Sequence, residues 1–105
     1  MALTRDFKET IQARVKSDPK FRRSLFVEAM ELYISGDVET GNTILRDYIN
    51  ATVGFEKLAK PTHKSPKSLM RMFSRKGNPR ARNLFGVIAY LRKKEGLHLK
   101  GSTAI

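Results

Sequence analysis

The sequence encodes an all-α protein of about six helices, and three of its features say so. Apolar residues recur three and four positions apart along most of the 105 residues, the spacing that gathers them on one helix face. Three of the four prolines follow a side chain that caps helices, in Asp18-Pro19, Ser65-Pro66 and Asn78-Pro79, so each pair reads as a helix start. Gly36, Gly77 and Gly96 close the periodic segments, where a left-handed cap would stop a helix.

Taken in chain order, Leu3, Phe7, Ile11 and Val15 mark a first helix, and Phe21, Leu25, Ala29, Leu32 and Tyr33 a second. Ile44, Leu45, Tyr48, Ile49 and Thr52 mark a third. Phe55, Leu58 and Ala59 begin a short fourth, which Pro61 ends because it lacks the N–H that would bond back to Lys57. Leu69, Met72 and Phe73 face inward from a fifth starting at Ser65, and Ala81, Leu84, Phe85, Ile88 and Leu91 from a sixth. The alternation Leu97-His98-Leu99 predicts a short C-terminal strand. The chain therefore reads as a single domain, 1–105, with an N-terminal helical extension over 1–36, a helix-turn-helix core over 37–96 and a tail over 97–105. Two short helices in tandem before a longer one are the arrangement of a helix-turn-helix unit, whose second helix enters the DNA major groove.

Composition narrows the function classes. Leu, Ile, Val and Phe make up about a quarter of the chain, above the roughly one-fifth below which charged chains stay disordered. There is no cysteine, so disulfides, thiolate nucleophiles and Cys-ligated zinc are excluded, and a reducing cytoplasm is the expected compartment. No apolar run approaches the roughly 20 residues that span a bilayer, and the N-terminus carries no apolar signal stretch, so no membrane partner is expected.

The net charge is +11, and its position is more informative than its sum. Lys57, Lys60, Lys64, Lys67, Arg71, Arg75, Lys76, Arg80, Arg82, Arg92, Lys93 and Lys94 follow one another without a single acidic residue between Lys57 and Lys94. An ordinary solvated surface interleaves both signs. A one-sign block repels itself and is relieved when a polyanion displaces its counterions, so nucleic acid is the leading partner. Pro61, Pro66, Gly77 and Pro79 interrupt the block, so it does not form the long amphipathic helix that would lie on an anionic membrane.

If Leu69, Met72 and Phe73 point inward, a step of about 100° per residue sets Lys64, Lys67, Arg71, Ser74 and Arg75 on the opposite face. No Glu or Asp stands there to pair with them, which argues for an external anion. Ser65 caps this helix, whose first-turn N–H groups suit a DNA phosphate. Lys67 and Arg71 project toward the groove, where arginine bonds guanine O6 and N7 with both arms, and Ser68 reads a base or a phosphate. Lys60, Lys64, Arg75, Lys76, Asn78 and Arg80 flank the helix as phosphate contacts that position without reading sequence.

With these residues in place, the stretch from Ser17 to Leu99 resembles the HigA-like addiction-module antidote proteins of the lambda-repressor-like helix-turn-helix superfamily. The likeness is carried by Leu45-Arg46-Asp47-Tyr48-Ile49-Asn50-Ala51, Phe55-Glu56-Lys57-Leu58-Ala59, Ser65-Pro66-Lys67-Ser68-Leu69-Met70-Arg71-Met72, and Gly77-Asn78-Pro79 followed by Asn83-Leu84-Phe85. It implies a bacterial antitoxin that binds a RelE-like ribonuclease toxin and represses its own operon as a homodimer on a palindromic operator. By the same resemblance Pro66, Lys67 and Arg71 match base-facing positions, and Ser65 matches the residue opening the recognition helix. The sequence departs from the family at Pro61 and Thr62, where the pattern continues a helix with an apolar residue, and at His63, where glycine is common. The near-neutral half from Met1 to Glu56 would serve the toxin, and Phe26, Val27, Met30 and Ile34 are apolar candidates for self-association or toxin contact.

Other classes fit less well. His63 and His98 lack the spacing that places two metal ligands on one helix face, and no Gly-rich phosphate cradle is present, so neither metal nor cofactor is expected. Ser65 and Lys67 diverge by about 200° on a helix, which rules out a Ser-Lys catalytic pair, and no catalytic activity is expected. A reader of single-stranded RNA needs aromatic platforms, and beyond the fourth helix the basic block offers only Phe73, Phe85 and Tyr90. A stand-alone repressor without a toxin and a sequence-independent, nucleoid-type DNA-coating protein are the remaining alternatives.

Overall fold

The computed structural model describes residues 5–96, with side chains from residue 9 onward. These residues form six helices: α1 (Arg5–Ser17), α2 (Pro19–Ser35), α3 (Val38–Ala51), α4 (Phe55–Thr62), α5 (Pro66–Met72) and α6 (Ala81–Glu95). The strand expected at Leu97-His98-Leu99 lies outside the described residues, as does Leu3.

Local signals set most helix ends. The Asp18 carboxylate accepts from the N–H groups of Lys20 and Phe21, and the Ser65 hydroxyl accepts from the Ser68 N–H, each immediately before a proline at the first helical position. Asp37 caps α3 in the same way through the Thr40 N–H. Gly36 and Gly96 adopt the left-handed conformation that stops α2 and α6.

Four expectations are corrected. Pro61 does not end α4, which runs on to Thr62, because a proline in the last turn removes a single hydrogen bond at an exposed helix end. The stop comes at His63, left-handed at φ 56°, where the His63 N–H donates to the Lys60 carbonyl and the Lys64 N–H to that of Ala59. Gly77 is not a left-handed cap, since positive φ among the described glycines falls at Gly36, Gly54 and Gly96. It is needed for space: a Cβ there would lie 2.4 Å from the Met72 carbonyl oxygen and 2.5 Å from that of Arg71. Asn78-Pro79 does not open α6, which starts at Ala81 behind Arg80 without a side-chain cap. Ala81 and Phe85 do not face inward: Ala81 is exposed and Phe85 is 63 % exposed, because the buried stripe of α6 runs through Leu84, Val87, Ile88 and Leu91. One residue after Leu84, Phe85 is turned away from that stripe by about 100°.

Buried side chains from all six helices form one core, with Val15 from α1, Phe26 and Ala29 from α2, Leu45 and Ile49 from α3, Leu58 from α4, Leu69 from α5 and Val87 from α6. Helices α2 and α3 pack on each other with α1 across both, and α4 packs on α5 and α6. Of the four apolar residues offered for self-association, Phe26 is fully buried against Tyr48, Val27 and Met30 are half-buried, and Ile34 alone stands out at 86 % exposed.

A polar lock ties α6 to the rest. The Arg22 Nε–H donates to both carboxylate oxygens of Glu95 at 2.9 and 3.0 Å, and the Tyr48 hydroxyl donates to Oε1. The Glu95 side chain is 3 % exposed. Burial acts to raise its pKa, but the hydrogen bonds from Arg22 and Tyr48 and the charges of Arg22 and Arg23 outweigh it and hold the carboxyl below its ordinary value. Burial and the bond to Glu95 push the Tyr48 hydroxyl well above its usual range.

Candidate nucleic-acid interface

The candidate interface is built around α5, whose inward face is anchored at three points. Leu69 and Phe73 are fully buried and Met72 half-buried, as the helical phase requires. The Phe73 ring meets that of Phe55 at 6.4 Å between centroids, which fixes the end of α5 against the start of α4.

The loop after α5 is held by a residue that sequence reasoning missed. Asn42 of α3 is fully buried, and its Nδ2 donates to the carbonyl of Gly77 at 2.9 Å and to that of Ser74 at 3.3 Å. Its Oδ1 accepts from the Tyr33 hydroxyl at 2.7 Å, so both ends of the amide are satisfied. A signal was present: Asn42 shares the helical phase of Leu45 and Ile49, a polar residue on an apolar stripe.

On the outward side, Lys67, Ser68 and Arg71 are exposed and lie three and four positions apart, so α5 brings them to one face. Pro66 is half-buried at the helix start. The Ser65 hydroxyl donates to that of Ser68 at 3.0 Å while accepting the Ser68 N–H, so both serines belong to the cap. Lys64 is half-buried in the turn before α5, and Lys60 lies exposed on the last turn of α4. Arg75, Lys76, Asn78 and Arg80 are exposed along the connection to α6, carried by loop rather than by helix. Met70, which the phase argument left unassigned, is 48 % exposed on α5.

A carboxylate from the first half reaches the basic block. Glu39 Oε1 lies 3.6 Å from Arg75 Nε, with both side chains more than half exposed, a geometry worth little in water. Among the described residues, Lys60, Lys64, Lys67, Arg71, Lys76 and Arg80 make no ion pair. A feature that the sequence did not announce is a cleft of about 270 Å³ between the end of α4 and α6, lined by Lys64, Arg82, Asn83 and Gly86 among others.

Among the described residues no three His, Asp or Glu side chains cluster to hold a metal. Ser65 bonds Ser68 rather than Lys67. No described helix is long and apolar enough to cross a membrane. Set beside protein-family models, curated proteins and solved structures, the chain matches none of them.

Proposed function

We propose that the chain is a sequence-specific, double-stranded-DNA-binding regulator in which α4 and α5 act as a helix-turn-helix pair and α5 lies in the major groove. One observation carries the reading: Lys67 and Arg71 stand exposed on α5 with no ion-pair partner among the described residues, while Leu69 and Phe73 fix the opposite face in the core. A helix held on one side and cationic on the other, in a segment with no carboxylate, matches the edge of a base-paired groove. In this reading Arg71 and Lys67 face bases, with Pro66 and Ser68 beside them. Lys60, Lys64, Ser65, Arg75, Lys76, Asn78 and Arg80 bind phosphates.

The finer role is proposed on the resemblance to the HigA-like antidotes, through Ser65 to Met72 and Gly77 to Pro79. It is that of a dimeric antitoxin repressing its own operon and binding a RelE-like toxin. His63 supports the likeness in one respect: at the turn position where glycine is common in that family, it takes the left-handed conformation that glycine favours.

Titration of the full chain against a duplex selected from a random pool, and against a scrambled duplex, tests the reading. Arg71→Ala is expected to lower affinity for the selected duplex by about 1–3 kcal/mol and to relax discrimination at one base pair. Lys76→Ala is expected to weaken both duplexes alike and to flatten the salt slope by about one unit. Equal loss on both duplexes for Arg71→Ala would remove the base-reading assignment and leave a DNA-coating protein.

A further inference from the structure

We infer that the cleft between the end of α4 and the first turns of α6 holds a phosphate of the nucleic-acid backbone, clamped by Lys64, Arg82 and Asn83 over the open wall left by Gly86. The inference rests on the duplex-binding reading and adds Arg82, Asn83 and Gly86 to it.

The cleft gathers two cations from different elements, Lys64 from the turn before α5 and Arg82 from the first turn of α6. Pro61 and Thr62 complete its α4 side. No carboxylate lines it, and among the described residues neither Lys64 nor Arg82 makes an ion pair. Two like charges facing one cleft repel until an anion sits between them. The Asn83 side-chain amide adds neutral donors, and a phosphate, with several acceptor oxygens, can engage all three groups at once.

Gly86 turns the cleft into a site. It stands mid-helix, where glycine is the poorest residue short of proline. Its φ is not positive, and a Cβ there would meet nothing within 4 Å. Neither backbone conformation nor internal packing therefore asks for glycine, in contrast to Gly41 and Gly77, where a Cβ would press on the Tyr33 ring and on the Met72 carbonyl. What the missing side chain leaves is clear wall in the cleft, and the remaining use of such a glycine is close approach of a ligand to the backbone. Lys64 directly precedes Ser65, the cap of α5. A cation of the cleft thus stands one residue before the cap of the helix that carries Lys67 and Arg71, within reach of a duplex bound along that helix.

The test is fluorescence anisotropy of the full chain with the selected and scrambled duplexes, together with thermal melting. Arg82→Gln and Lys64→Gln are expected to weaken both duplexes by the same factor, roughly fivefold to tenfold near 0.1 M salt, and to flatten the salt slope by about one unit each. Gly86→Ala should raise the Tm by several degrees while weakening both duplexes, an opposition that a merely structural glycine would not show. Gly86→Glu should weaken binding more than Gly86→Gln. If the wild type binds duplex and these variants bind as it does, the clamp is overturned with the duplex reading intact. If the wild type binds no duplex at any salt, both are overturned. If a polyglutamate chain rather than duplex shifts the Asn83 and Gly86 amide resonances, the cleft is a protein-docking site and the clamp is overturned.

Discussion

Single residues show how local rules and tertiary demands divide the work. Asp18 and Ser65 cap the helices that their sequence context announces, because a cap needs only its own next three residues. His63 is different: an imidazole-bearing residue holds φ 56°, a conformation that costs an L-residue about 1 kcal/mol, because it closes α4 and turns the chain into α5. His63→Gly is therefore expected to stabilise the protein by up to about 0.5 kcal/mol in urea titration, the gain being trimmed by the greater freedom of glycine in the unfolded chain. A loss of stability would mean that the His63 side chain contributes more than its backbone costs. Phe85 marks the opposite case, a large apolar residue that periodicity assigned inward and that the packing of α6 leaves out.

Among the elements, α5 depends least on itself. Seven residues are too few for a helix to persist alone in water, so its orientation is set by what it touches. Leu69 and Phe73 hold its inner face, and Asn42 holds the loop behind it through Ser74 and Gly77. Asn42→Ala strands two loop carbonyls and the Tyr33 hydroxyl, and is expected to cost about 2–3 kcal/mol. Under the duplex-binding proposal the same variant should also weaken DNA binding, because Arg75 and Lys76 ride on that loop. An unchanged urea midpoint would show that water replaces the amide without loss and that the pin is not structural. The inward face of α5 was legible in the sequence as Leu69, Met72 and Phe73, but the pin was not, because Asn42 and Gly77 are 35 positions apart.

For the molecule as a whole, the ion pair of Arg22 with the buried Glu95 carboxylate contributes to the acid response. Above the ordinary carboxylate range Glu95 is ionised both folded and unfolded, and its bonds to Arg22 and Tyr48 act in full. Folding holds its pKa below the ordinary value, so between the two values the unfolded chain binds more proton. Stability therefore falls as pH drops from about 4.5 through the lower folded value. Glu95→Gln is expected to cost about 2–3 kcal/mol at pH 7, and its deficit against wild type should shrink as pH falls below about 4. Denaturant titrations at pH 7 and pH 3 check this, and a deficit independent of pH would show that shape rather than charge makes the lock. The sequence did not announce the ion pair in this lock, because Arg22 and Glu95 are 73 positions apart and each looks like an ordinary surface charge.

Helix number, the caps at Asp18 and Ser65 and the acid-free block from Lys57 to Lys94 follow from the chain alone. Capping, periodicity and charge density are properties of neighbours along the backbone. The passage of α4 through Pro61, the late start of α6, the exposure of Phe85 and the cleft at Gly86 were decided by packing. So were the two long-range polar pins, at Asn42 and at Glu95. Each of these depends on which surfaces meet when six helices share one core, and a one-dimensional period fixes the face of a helix but not what will cover it.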